Sequence, residues 1–533
     1  MKRTMMSLIG AAVALAAVTG VATVAAPAPG GAAQAVAPGG SRLPVQRSAL
    51  LCPPPASSAV GETTYTSFVP AGAGAAGKAG EDGKTGKTGK TGKKGTAQLL
   101  PAGSVKESGG KDGKDKGGGA GGGQQAAAPQ DTKPVAPLTE AGKPVTATTD
   151  SAGAPALVGA ADGAFAPGWT VQQTTSIAAG AGRGLLGLSC VAPDTTFWFP
   201  GVSTDKDRQD YVHLTNPDST PAVVDLELHG KDGALRAAAG ENISVPPHAT
   251  VPVLLSTLTG APATDATLNV IAREGRVGAA VQAVDAKLGG DWLPAAADPA
   301  PGAVLPGIPG DATSVRLVAL APGDADADLK VQLATPTGLI TPAGVETLHV
   351  KSGMTTAVDL KDITKGEAAS LVLTPTDSGS KTPVVAALRV TRGTGDKQET
   401  AFIPATRPVG ERATAADNRD KGSTLTLVAP EKGKDAKVKV TASAGSGGGT
   451  PVSKTYTVKG GATLAVEPPR PQGLKGSYAL TVEPEPGGGP VYAARMLAQP
   501  QGGIPAFTIQ TLPDDRGSVT VPTARQDLSL LTD

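Results

Sequence analysis

Val223-Val224-Asp225-Leu226-Glu227-Leu228-His229-Gly230 alternates apolar with polar side chains. A period of two buries one face of a strand and wets the other, as in an antiparallel sheet with one covered side. Leu329, Val331 and Leu333 alternate in the same way with Lys330 and Gln332. About seven such runs lie between Tyr211 and Ala296, separated by turns such as Gly230-Lys231-Asp232-Gly233 and Pro246-Pro247. Seven short strands in roughly 100 residues predict an immunoglobulin- or fibronectin-like β-sandwich. Helical periodicity is almost absent beyond the N-terminal segment, so the fold class read from the sequence is all-β.

The pattern recurs. Pro217, Pro322 and Pro430 each close an apolar run, and they stand 105 and 108 residues apart. Thr250, Thr355 and Thr463, each following a short strand, keep the same steps of 105 and 108. The doublets Ala279-Ala280, Ala386-Ala387 and Ala493-Ala494 recur at steps of 107. Shared offsets in three copies predict tandem sandwich repeats. The expected organisation is a signal peptide at 1–35 and an N-terminal β domain at 36–202 interrupted by an insertion at 72–128. Sandwich repeats follow at 203–306, 307–413 and 414–533. The first boundary rests on Trp198-Phe199-Pro200, read as a closing strand like Trp292-Leu293-Pro294 and Phe402-Ile403-Pro404.

The insertion is low in complexity. Glycine stands at every third position from Gly74 to Gly95, too few triplets and no proline for a collagen helix. Residues 72–128 hold ten Lys against five Asp or Glu, a local net of +5, and no aromatic side chain. Such a composition has too little to bury and is read as a disordered linker.

The N-terminus reads as an export signal. Lys2 and Arg3 are followed by an uncharged run from Met5 to Ala26 and by Ala33-Gln34-Ala35, a small-x-small cleavage pattern. The apolar run also has the length of a membrane span, which leaves an uncleaved anchor as the alternative. Cys52 is no lipoprotein cysteine, because Leu50 and Leu51 precede it. The chain has 2 cysteines. In an exported protein Cys52 and Cys190 are expected to pair, closing a loop of roughly 140 residues worth at most about 5 kcal/mol in the chain-entropy model. Two buried free thiols are the other possibility.

No motif in the chain defines a catalytic or cofactor site. The repeated Gly83-Lys84-Thr85 lacks the earlier glycine of a phosphate loop. Gly72–Gly77 and Gly182–Gly187 match Gly-x-Gly-x-x-Gly without the helix that a dinucleotide needs. Asp324-Ala325-Asp326-Ala327-Asp328 has Leu329 where a calcium loop needs glycine and Thr335 where it needs glutamate. His213, His229, His248 and His349 form no metal-ligand spacing, and the repeat alignment sets them opposite Val318, Ala334, Gly353 and Ser244. No catalytic, metal or cofactor residues are assigned; the site residues named are the disulfide pair Cys52 and Cys190.

The strand ending in Asn216-Pro217, the Val223–Gly230 strand, and Val245-Pro246-Pro247-His248-Ala249-Thr250 together resemble an uncharacterised family of secreted proteins from high-GC Gram-positive bacteria. The likeness spans roughly residues 185–525, and it implies export and an envelope setting.

Lys+Arg 48 against Asp+Glu 47 gives a net charge of +1, which argues against nucleic acid as a partner. A membrane is a partner only if the N-terminal signal is kept as an anchor. The function expected is that of a secreted, envelope-associated, non-enzymatic scaffold or interaction module without cofactors, its partner an envelope protein or wall polymer. A carbohydrate- or wall-polymer-binding module is the first alternative, favoured if Trp198 and Trp292 stand exposed on one face; 3 Trp, 5 Tyr and 6 Phe count against it. A secreted hydrolase with an unrecognised site is the second. Cleavage after Ala35 predicts a mature chain that starts at Val36. N-terminal sequencing of secreted material checks this, and a membrane-retained product starting at Met1 would overturn it.

Overall fold

The computed structural model describes residues 41–55, 61–72, 95–104, 133–235 and 238–521. The expected signal at 1–35 lies outside them. Residues Leu43–Val519 form one compact unit; the described residues beyond it, 41–42 and 520–521, belong to a second unit made of the chain's ends.

Within the larger unit the chain forms tandem β-sandwiches. The second shows the plan. Its strands are Thr196–Val202, Arg208–Thr215, Ala222–Gly230, Ala249–Leu254, Ala266–Glu274, Gly278–Asp285 and Gly289–Leu293. One sheet runs fourth-second-sixth-seventh; the other runs first-fifth-third, with Gly233–Leu235 and Ile243–Val245 beside the third strand. The third sandwich, from Ala303–Ile308 to Glu399–Pro404, and the fourth, from Ala413–Asn418 to Phe507–Thr511, repeat this order. Immunoglobulin constant domains pair the first strand with the second instead, so the likeness to them is one of architecture.

The repeated sequence features fall where the plan needs them. Thr250 pairs with Thr215 across two strands, their hydroxyls 2.9 Å apart. Asn216, before Pro217, donates its amide to the carbonyls of Thr220 (2.7 Å) and Val245 (3.0 Å) and so holds the turn.

The first sandwich is also complete. Its strands are Arg47–Cys52, Gly61–Phe68, Ala97–Pro101, Val145–Thr149, Leu157–Asp162, Thr170–Ile177 and Gly184–Ser189, in the same two sheets. This corrects two expectations. Ala97–Pro101, inside the expected insertion, is the third strand; it pairs with Leu157–Asp162 and buries Leu99 completely. Gly103–Ser104 pairs in parallel with Ala249 and Thr250 of the second sandwich. The glycine-rich remainder, 73–94 and 105–132, lies outside the described residues.

The second correction concerns boundaries. Thr196–Val202 pairs with Ala266–Glu274 and opens the second sandwich instead of closing the first. Ala303–Ile308 opens the third in the same way, so these sandwiches begin near 196 and 303, before the expected 203 and 307. Phe199-Pro200-Gly201 corresponds to Leu305-Pro306-Gly307. Both are bulged edge strands whose register shifts at the proline and whose glycines take φ of 101° and 97°. Proline is tolerated there because an edge strand can spare a donor, and the glycine because the bulge needs a positive φ.

The sandwiches close on themselves as a ring. The last strand of the first packs against the last strands of the second and fourth, and that of the third against the same two. The first strand of each sandwich leans on the sixth strand of the next, and the fourth leans on the first. The alanine doublets explain the fit, since neighbouring strand residues face opposite ways. Ala386 sits in the core of its own sandwich and Ala387 in that of the second. Ala493 and Ala494 divide likewise between the fourth and third cores. A Cβ on Gly307 would stand 2.9 Å from that of Ala494, so only small residues fit this joint. Ala494→Leu is therefore expected to cost about 1–3 kcal/mol by overpacking. A lowered thermal midpoint checks it; an unchanged midpoint would mean that the joint is loose.

Candidate functional site

The last strand of each sandwich is the edge of its sheet. All four edges turn inward, where no fifth strand pairs with them, and their buried N–H groups need acceptors. Two carboxylates supply them. Glu399, in the third sandwich, accepts the N–H of Leu185 in the first (2.8 Å) and of Phe507 in the fourth (3.3 Å) through Oε1. Asp291, in the second sandwich, accepts the N–H of Gly187 in the first (2.9 Å) and of its own neighbour Trp292 (2.8 Å). The Thr508 hydroxyl of the fourth donates to Asp291 Oδ2 at 3.1 Å. Gly187 and Gly184 are forced to be glycine. A Cβ on Gly187 would meet Gln510 Nε2 at 2.1 Å, and one on Gly184 would meet Glu399 Oε1 at 2.6 Å. Two glycines of the Gly182–Gly187 motif thus serve the axis.

Burial pushes the Asp291 carboxyl well above its usual range, and the charge of Glu399 adds to the shift. Burial likewise pushes Glu399 up to about 7, against the pull of the two N–H groups and of Arg183 and Arg392.

The joint between first and fourth sandwiches is polar. Thr174 donates to Asp417 Oδ2 at 2.8 Å. Gln172 Oε1 accepts from the Asp417 N–H and from Arg495 Nη2, each at 2.8 Å. Arg495 is fully buried, which lowers its pKa to about 10.

Beyond the last strands, the chain segments that follow them converge on a cavity of 300 Å³. Every sandwich contributes: Ser189–Val191, Pro294–Asp298, Ala405–Arg407 and Leu512–Arg516. Leu50, Trp169 and Phe197 add apolar wall. The disulfide Cys52–Cys190 forms as expected, its sulfurs 2.00 Å apart, and Cys190 lines the cavity. At the rim Arg407 pairs with Asp298, and Arg412 pairs with Asp515 behind it.

The other residues singled out from sequence stay apart. His213 is buried edge-on to Trp292, ring centroids 5.6 Å apart, and burial lowers its pKa to about 4. His349 is half exposed between Asp328 (2.8 Å) and Asp326 (3.5 Å). Among the described residues no three His, Cys, Asp or Glu side chains are grouped to hold a metal ion. Trp198 and Trp292 are 9% and 1% exposed and so offer no stacking face. Asp291 and Glu399 were missed from sequence. Their signal was a charge set among strand residues, in Gly289-Gly290-Asp291-Trp292-Leu293 and Glu399-Thr400-Ala401-Phe402.

The geometry defines a class: tandem β-sandwiches closed around an axis of buried carboxylates, with one cavity shared by all four. The chain belongs to a family of unknown function, DUF5719, whose model matches residues 145–469. That span runs from the fourth strand of the first sandwich into the fourth sandwich. No curated protein and no solved structure matches the chain.

The Glu399 shift gives the ring a pH dependence. Its native pKa of about 7 lies above the ordinary 4.5. Between those values the native state binds more protons than the unfolded chain, so stability is full in mild acid and falls as pH rises through 7. The thermal midpoint should be higher at pH 5 than at pH 8. Glu399→Gln keeps the acceptor oxygen and should make the profile shallower, the raised Asp291 keeping its own share; an equally steep profile in the variant would remove Glu399 as a source.

Proposed function

We propose that this chain is an exported, non-catalytic protein of the cell envelope that serves as a scaffold or interaction module, with the axial cavity as its contact point. One observation carries the reading: all four sandwiches build a single cavity at the end of a ring held rigid from inside. A site assembled from four units keeps its shape only while the ring is intact, as a fixed contact surface requires.

Other features support the setting. A disulfide suits an oxidising compartment. No helix among the described residues is long and apolar enough to cross a membrane. The N-terminal signal pattern and the family resemblance agree with export. Against the sugar-binding alternative stand the buried tryptophans, and against the hydrolase stands the cavity itself. Its carboxylates Asp298 and Asp515 are matched with arginines, while Asp514 accepts the N–H of Glu411 and Asp194 that of Thr195, each at 2.8 Å.

Two measurements test the proposal. A photocrosslinking residue in place of Asp298, on the cavity rim and 68% exposed, should trap an envelope component in living cells. One at Ile340, 49% exposed in the third sandwich, should not; identical products from both would sink the assignment of the cavity. Purified protein incubated with isolated wall sacculi should release no more soluble fragments than buffer does. Release that is lost in Asp298→Asn or Asp515→Asn would make the protein a hydrolase.

A further inference from the structure

A second cavity, of 270 Å³, lies between the second and third sandwiches. Arg208, Arg316 and Arg389 line it. Arg316 and Arg389 are directly paired across neighbouring strands of the third sandwich. Like charges placed opposite each other on a sheet destabilise it unless something answers them. Arg208 enters from the second sandwich, its guanidinium carbon 5.8 Å from the Phe402 ring centre. Phe402 is in turn the cross-strand neighbour of Arg389, so all three cations converge.

Two of the three are matched. Arg208 holds Asp210 with two hydrogen bonds of 3.0 and 2.7 Å. Arg316 Nε bonds Asp265 at 2.7 Å, which leaves its terminal N–H groups unspent on that carboxylate. Arg389 has no hydrogen-bond or ion-pair partner among the described residues. Four carboxylates, Asp205, Asp207, Asp265 and Asp285, also line the cavity; Asp265 and Asp285 favour the charged form of Arg389 through space without bonding it. Asp205 accepts the Asp207 N–H at 3.0 Å, and Asp285 accepts those of Lys287 and Leu288 at 2.9 and 3.0 Å. Asp207 stands 3.9 Å from the Lys287 ammonium.

The fold does not require this arrangement. The equivalent cross-strand pair is Tyr211 and Gln282 in the second sandwich and Thr424 and Met496 in the fourth. Only the third carries two cations there, and only there does a third arginine reach them. Guanidinium groups are the side chains best suited to binding phosphate and carboxylate through paired N–H donors.

We propose that this cavity is an oxyanion site for a phosphate-type group, with Arg389 as its principal donor and Arg316 and Arg208 supplying further N–H groups. The phosphate can be a free ion or a phosphodiester of an anionic polymer, since both present the same oxygens. The site is independent of the axial cavity and of the role proposed for it.

Calorimetric titration of the full chain with inorganic phosphate, in chloride buffer of matched ionic strength, tests the proposal. The wild type should bind saturably and Arg389→Gln about ten-fold or more weakly, the loss expected for a charged hydrogen-bonding group. Phosphate also stabilises proteins generally by exclusion from their surface. A parallel melting series is therefore read as the difference between wild type and variant. If Arg389→Gln does not fold, Arg316→Gln in the same titration gives the reading. No saturable uptake by the folded wild type, uptake unchanged in the variants, or saturable binding of calcium in its place would overturn the site. Displacement of phosphate by a soluble poly(glycerol phosphate) assigns the site to polymer phosphodiesters. Saturable phosphate binding that the polymer does not displace assigns it to the free ion; both uphold an oxyanion site.

Discussion

Backbone N–H groups on four inward-facing strand edges must find acceptors away from water, and the ring depends on how they do so. A further strand would have satisfied them with carbonyls. Here Glu399 takes the N–H groups of Leu185 and Phe507, and Asp291 those of Gly187 and Trp292 with the Thr508 hydroxyl, so each reaches from one sandwich to the first and the fourth. A carboxylate carries more acceptor capacity than a carbonyl, so one side chain can tie two strands that no ladder joins. The desolvation cost is visible in the raised pKa of both groups. It is offset by giving acceptors to inward N–H groups that would otherwise be buried unbonded.

The joints around the axis are of two kinds. The first three sandwiches adjoin their successors in sequence; alanines and apolar side chains pack their joints, and the joint of second and third adds the Arg316–Asp265 pair beside its arginine-lined cavity. The joint between fourth and first brings together residues such as Gln172 and Arg495, which are 323 positions apart. It is built on hydrogen bonds among Gln172, Thr174, Asp417 and Arg495. Apolar contact is tolerant of sliding, whereas a buried arginine bound to one amide oxygen accepts a single register. A small apolar cluster of Phe68, Ala416 and Ala479 seals the same face.

Much of the fold was legible because sandwiches announce themselves locally. Alternation, turn residues and repeat offsets each reflect a period that a strand imposes on its own sequence. The paired cysteines followed from their number and the signal pattern. The misplaced boundaries followed from the same locality. Trp198-Phe199-Pro200 looks like a closing strand until the glycine at 201 is counted, and that glycine makes it a bulged opening strand. Ala97–Pro101 was hidden because low-complexity sequence flanks five residues that carry only two leucines.

The sequence by itself determined that this is an all-β chain of repeated sandwiches, because strand and turn patterns arise from contacts within about 100 residues; the one covalent link was legible because the chain has just 2 cysteines to pair. Tertiary structure alone decided that the sandwiches close into a ring, that Asp291 and Glu399 hold its axis, and that one cavity is shared by four units. It also decided that Arg208 meets Arg316 and Arg389. The physical reason is that each of these facts joins residues more than 70 positions apart, brought together by docking between sheets. Docking depends on the shape and charge of two finished surfaces, and no periodicity in either partner records it.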